Sequence, residues 1–212
     1  MKTIKKPIQP KLPHIFNETI PEYLDGEELV TNTSIEGMDY TYQEVSNAGF
    51  QGSLLTKTNF SGSSLRNFEA QDVIFDHCDF SNAELFGVSL HRVIFKNCKL
   101  TGVNFAEGVL KDCQFIDCLM DFTSFSYGTL KIVAFTDCSL KDSDFFELTW
   151  QHLALNQCQF SGSNWSNTTL NGLNWSNCLF EKIQLSQDRL SGLIVNQEQA
   201  IIIALGFGLV ID

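Results

Sequence analysis

The sequence predicts an all-β chain wound as a square coil, a quadrilateral parallel β-helix. An apolar side chain returns at every fifth position, small side chains stand two positions before it, and six of the seven cysteines are spaced by twenty. Neither common period explains the first observation. A helix turns about 100° per residue, so every fifth residue wanders around its surface. A flat strand would send successive fifth residues to opposite faces.

The register runs from Ile35 to Val195. All 33 positions numbered by a multiple of five are apolar or aromatic, Ala70 and Tyr40 being the weakest. Twelve of the 18 phenylalanines lie there, together with Trp150, Trp165 and Trp175. Two positions earlier stand Ala48, Ser53, Thr58, Val103, Ser143 and Ser163, and all seven cysteines: Cys78, Cys98, Cys113, Cys118, Cys138, Cys158 and Cys178. Twenty residues are four pentads, so residue n stacks on n+20 and each pentad forms one side of the square. The centre points inward, the residue two before it points inward where room is short, and glycines such as Gly62, Gly87 and Gly102 turn the corner. The span makes about eight coils of about 4.8 Å each, roughly 40 Å in all. Stability then comes from a one-dimensional stack, in which each coil buries its large side chains against its neighbours at roughly 1.5–3 kcal/mol apiece before entropy is subtracted.

"TNFSG" (58–62), "CDFSN" (78–82), "AELFG" (83–87), "VNFAE" (103–107), "CQFSG" (158–162) and "SNWSN" (163–167) resemble the pentapeptide-repeat motif: a small residue, Asp or Asn, Leu or Phe, a polar residue, then often Gly. The resemblance implies that the coil is right-handed. "SDFFELTW" (143–150) and the ending "LSGLIVNQEQAIIIALGFGLVID" (190–212) are similar, more narrowly, to the chromosomal Qnr-type quinolone-resistance proteins of Gram-positive bacteria. That similarity implies a non-enzymatic, DNA-mimicking partner of DNA gyrase and topoisomerase IV that protects them from fluoroquinolones, paired as a homodimer through its C-terminus. The alternative is a general interaction scaffold of the pentapeptide-repeat type with an unrelated partner, because the repeats alone name no target. The plasmid-borne Qnr proteins carry loops projecting between coils, and the unbroken register here leaves no room for them.

The domain organisation follows. Residues 1–32 are off register and are expected to cap the first coil, with a helical turn in "IPEYLDGEEL". Residues 33–195 form the solenoid. In 196–212, Asn196 is a suitable N-cap for a helix opening at Gln197, and "LVI" reads as a short strand. Apolar residues spread beyond one stripe there, so Ile201, Ile202, Leu205, Phe207, Leu209 and Ile211 are candidates for a two-fold dimer interface. The start, "MKTIKKPIQPKLPHIF", has lysines but no apolar run after them, and no stretch approaches the roughly 20 apolar residues of a membrane span. A cytoplasmic protein without a membrane association is expected.

No catalytic, cofactor or metal site is expected. No cysteine pair has a zinc-knuckle gap, and the four histidines fall in unrelated places. The cysteines read as small buried hydrophobes. No nucleophile elbow, phosphate loop or His-Glu-x-x-His element is present, and a convex wall offers no cleft to shift a carboxylate's pKa.

What remains is the outer surface. The net charge of −11 argues against direct DNA binding. Acidic residues crowd the middle, and Asp112, Asp117, Asp121, Asp137, Asp142 and Glu147 are partner-binding candidates, either as a solvated surface or as stand-ins for phosphates. Phe86, Phe122, Tyr127 and Phe146 lie off both inward registers and either shield the wall or form a contact patch. Between Ile35 and Val195, 18 acidic and 10 basic residues leave a net of −8, against about 23 charges on roughly 40 Å of B-DNA. Mimicry here would rest on shape and a few placed carboxylates.

Overall fold

The computed structural model describes residues 4–18 and 20–212. It is a right-handed parallel β-solenoid closed by one C-terminal helix. Six three-residue strands come first: β1 (Leu29–Thr31), β2 (Ser34–Glu36), β3 (Glu44–Ser46), β4 (Gly49–Gln51), β5 (Leu54–Thr56) and β6 (Ser64–Arg66). Five eight-residue strands follow: β7 (Glu69–Asp76), β8 (Ser89–Lys96), β9 (Val109–Ile116), β10 (Thr129–Thr136) and β11 (Thr149–Asn156). Every pairing is parallel with an offset of twenty, as in Phe75↔Phe95 and Phe95↔Phe115. Single bridges at Asp39, Asn59, Asp79, Lys99, Leu119, Ser139, Gln159 and Leu179 continue the stack in another column.

The inward registers fill the core. Phe75, Phe95, Phe115 and Phe135 stack ring on ring at 4.8–5.0 Å. A second column joins Phe105, Phe125, Phe145 and Trp165 at 4.0–5.2 Å. All seven thiols are buried and free. In the column from Cys78 to Cys178 most donate one coil away, as Cys98 Sγ does to Phe75 O at 3.3 Å, so they pack as small donors rather than bridging. Burial pushes the Cys113 thiol up to about 12.

The corners explain the pentad's fifth residue. From Asn32 to Asn167 each lies near φ +50 to +80°, a left-handed conformation that Gly, Asn and Asp adopt at least cost, as at Gly87, Asn82 and Asp142. In β7–β11 the corner falls inside the strand, at Asp72, Arg92, Asp112, Ile132 and His152, so each of these strands bends across two walls.

Both ends differ in part from expectation. The segment before β1 does two things. Residues 20–28 close the first coil: Leu24 is buried, the Tyr40 hydroxyl donates to Pro21 O at 2.6 Å, and "IPEYLDGEEL" makes a turn at Gly26–Glu27 with no helical turn. Residues 4–13 instead run along the outside of the solenoid. At the other end α1 (Gln197–Gly206) opens on Asn196 as expected. Leu209–Ile211, expected as a strand, has no ladder, because a strand needs a neighbour and the single chain offers none. No helix among the described residues is long and apolar enough to cross a membrane.

Candidate interaction surface

Outward positions are set by the pentad: the residues flanking each centre, and the corner. Asp121, Phe122 and Asp142 therefore gather at one corner, while Tyr127, Phe146 and Glu147 gather at the next. Between the two corners lies one wall. Phe122 and Tyr127 stand at either edge of it, 63% and 57% exposed, with Ser124 and Ser126 between them. The Tyr127 and Phe146 rings meet edge to face at 5.5 Å. Tyr127 shares its column with Glu107 below and Glu147 above, so an aromatic ring sits between two carboxylates at coil spacing. The result is a wall with two serines at its middle, aromatic rims and acidic flanks.

Both rim residues occupy left-handed corners, Phe122 at φ 61° and Tyr127 at φ 60°. A bulky side chain there costs roughly 1–2 kcal/mol relative to glycine. The same conformation recurs at the other corners, Tyr42 and Ile132 included, so it is imposed by the coil. Both stand at the pentad position that most often holds Gly, Asn or Asp, although Tyr42, Arg92, Ile132 and His152 occupy it as well.

The other candidates are placed differently. Asp117 and Asp137 stack in one column on the far edge of the wall that ends at Asp121, and both are exposed. Asp121 is half-buried and accepts from the Ser139 hydroxyl (2.5 Å) and the Lys141 amide (2.9 Å), so it braces the corner beside Phe122. Phe86 is half-buried under the Arg66 guanidinium, 5.1 Å from its centroid. Asp112 is not on the open surface. It is 2% exposed and accepts the Ile8 amide at 3.2 Å, on the corner diagonal to Phe122's and next to Tyr127's. Of the tail candidates, Ile202 packs partly against the core, while Ile201, Leu205, Phe207, Leu209 and Ile211 are 40–61% exposed. Among the described residues no group of three His, Cys, Asp or Glu could hold a metal ion.

Family models for pentapeptide repeats match residues 46–82 and 69–102, and a model for a pentapeptide repeat region matches 88–165. Among curated proteins none matches. Similar solved structures include HetL, a pentapeptide repeat protein involved in heterocyst differentiation regulation from the cyanobacterium Nostoc sp. strain PCC 7120. It is 17% identical over 80% of this chain and 85% of that one, with a TM-score of 0.43. Full-length QnrB1, a plasmid-mediated fluoroquinolone resistance protein, is 16% identical over 87% of this chain and 100% of that one, with a TM-score of 0.33.

Proposed function

From the premise that this chain belongs to the pentapeptide-repeat family, we propose that it is a non-enzymatic rod that binds type II topoisomerases, DNA gyrase or topoisomerase IV, and protects them from fluoroquinolones. The observation that carries the reading is the wall between Phe122 and Tyr127, two exposed aromatic side chains flanked by Asp142, Glu107 and Glu147. Aromatic anchors within a polar rim are the usual composition of a protein contact. The target is supported by the similarity of "SDFFELTW", which carries Asp144, Phe146 and Glu147, to the Qnr-type sequences. The rod supports it as well. Its column from Asp39 to Leu179 spans seven steps, about 34 Å at about 4.8 Å per coil. Two such rods joined through the exposed tail would offer a long acidic surface to a basic DNA-binding groove.

The test is DNA supercoiling by gyrase held inhibited with ciprofloxacin while the protein is titrated in. Rescue that disappears in a Phe122→Ala/Tyr127→Ala/Phe146→Ala variant with unchanged thermal stability is the expected result. Absence of rescue at every concentration refutes it. The sparse charge, a net of −8 over the repeats, favours a second reading as a general scaffold. Capture of an unrelated partner and no topoisomerase subunit from the native cell would support that one.

A further inference from the structure

Residues 4–13 lie against the corner diagonal to Phe122's and next to Tyr127's, and their spacing matches the coil. The Lys11 amide donates to Asp72 Oδ1 (2.9 Å), the Ile8 amide to Asp112 Oδ1 (3.2 Å) and the Lys5 amide to His152 Nδ1 (3.4 Å). Each step is three residues of arm for two coils of wall. Three residues of polyproline II helix advance about 9.3 Å, and two coils rise about 9.6 Å. Pro7, Pro10 and Pro13 recur at the same three-residue period and are all half-buried. A polyproline II segment leaves its amides free to donate and loses little entropy on docking.

The wall is shaped for this occupant. Beside the corner runs an outward column of Leu54, Ile74, Ile94, Gln114, Ala134 and Ala154, all buried or half-buried, although outward residues elsewhere are largely polar. Ile94 is 8% exposed yet stands outside the core cluster. On the other side of the corner Gln71, Lys111, Lys131 and Gln151 stay exposed, so the arm leans on the apolar side. Asp72 (6% exposed) is oriented by Arg92, whose Nε and Nη2 donate to its two oxygens at 2.5 and 2.6 Å.

We propose that this wall is a binding groove for an extended, proline-spaced segment of a partner protein, and that residues 4–13 occupy it as an internal competitor. The arm holds its place by three spaced hydrogen bonds and no ladder, and it leaves Gln114 Nε2 buried without an acceptor. An incoming segment with a carbonyl at that point satisfies a donor that the arm does not. Tethering gives the arm an effective concentration on the order of millimolar, so an external segment competes only when it binds better or the arm is weakened.

The experiment measures anisotropy of a labelled peptide copying residues 4–16, added to the full chain and to a full chain carrying Pro7→Gly, Pro10→Gly and Pro13→Gly. At least tenfold tighter binding to the glycine variant is expected, lost again when Asp112→Ala is added while circular dichroism is unchanged. Equal binding to the native and glycine chains, or none to either, overturns the proposal. So does a dimer of the native chain that the three glycines abolish, since the occupant is then a second copy. Hydrogen exchange on the native chain gives a check without variants: the Ile8 and Lys11 amides should exchange at least a hundredfold faster than those of Phe95 and Phe115. Exchange of all four at one rate would make the arm a permanent part of the fold and overturn the proposal.

Discussion

Gln199 caps the helix that begins at Asn196 and the coil beneath it at once. The Asn196 side chain accepts the Gln199 amide (2.9 Å), Gln199 Oε1 accepts the Asn196 amide (3.0 Å), and Gln199 Nε2 donates to Trp175 O and Cys178 O (both 2.8 Å). The side chain is 3% exposed. Removing it strands two coil carbonyls and one helix amide. Gln199→Ala should therefore destabilise the chain by about 2 kcal/mol in urea unfolding. Glu198→Ala, exposed in the same turn, should change stability by no more than about 0.5 kcal/mol.

The stacked rings allow no relaxation around a hole. Phe115 is fully buried between Phe95 at 5.0 Å and Phe135 at 4.8 Å, and the ladders above and below fix its coil. Phe115→Ala should cost about 3–5 kcal/mol, at the upper end for such truncations. The measurement is the urea midpoint at constant slope.

Phe122 and Tyr127 should behave in the opposite way. Their corners favour Asn or Gly, which relieve the left-handed strain. Phe122→Asn and Tyr127→Asn should each raise stability by roughly 0.5–1 kcal/mol while weakening partner binding. A variant that loses stability and binding together would show that the rings hold the wall rather than meet a partner.

The difference between what the sequence disclosed and what it hid has a physical basis. The inward register is read directly, because an interior position tolerates only what packs, and one misplaced charge would break the run from Ile35 to Phe180. The helix start at Asn196 is equally legible, since capping chemistry is local. The arm is not, because its docking depends on atoms sixty to nearly 150 residues away, at Asp72, Asp112 and His152. Its trace in the sequence is faint but real: an outward apolar column with a period of twenty, and prolines with a period of three. The dominance of the inward signal conceals the outward one. It also led to Asp112 being counted with the open acidic surface.

Acid should loosen the arm's corner first. Burial alone would raise the Asp72 pKa, but the Arg92 hydrogen bonds, the Lys11 amide and the Arg92 charge outweigh it and hold the carboxyl below its usual range. Asp79 is lowered similarly, with Ser81 and Lys99 outweighing its burial. A depressed carboxylate contributes stability that is fully present above its unfolded pKa of about 3.9 and is lost as pH falls through the folded value. The melting temperature should thus be insensitive to these groups from pH 7 to about 5 and drop below about 4. Asp72→Asn should flatten part of that drop, and an unchanged acid profile would count against the pairing with Arg92.

The seven thiols should be silent. Each is buried, so a reagent in solution reaches none of them while the coils stay closed. A thiol reagent at pH 8 should label the native chain only as fast as it unfolds, and all seven together once urea is added. Rapid labelling of any one before unfolding would show that its coil opens locally.

The end of α1 and the tail beyond it expose more apolar surface than a lone rod keeps in water. Val210 is 94% exposed and Leu209 61%, with Leu205, Phe207 and Ile211 between 40% and 51%. A contiguous patch of this kind is covered most simply by the same patch on a second copy about a two-fold axis. Pairing would also supply Leu209–Ile211 with the neighbour that a strand requires. Sedimentation should find a dimer whose melting temperature rises with concentration, as linkage between folding and association demands. Leu205→Asp and Leu209→Asp should each yield a monomer with its solenoid intact, because neither side chain belongs to the core cluster. If those monomers still rescue gyrase from ciprofloxacin, one rod suffices. If they do not, the length gained by pairing is part of how the partner is held.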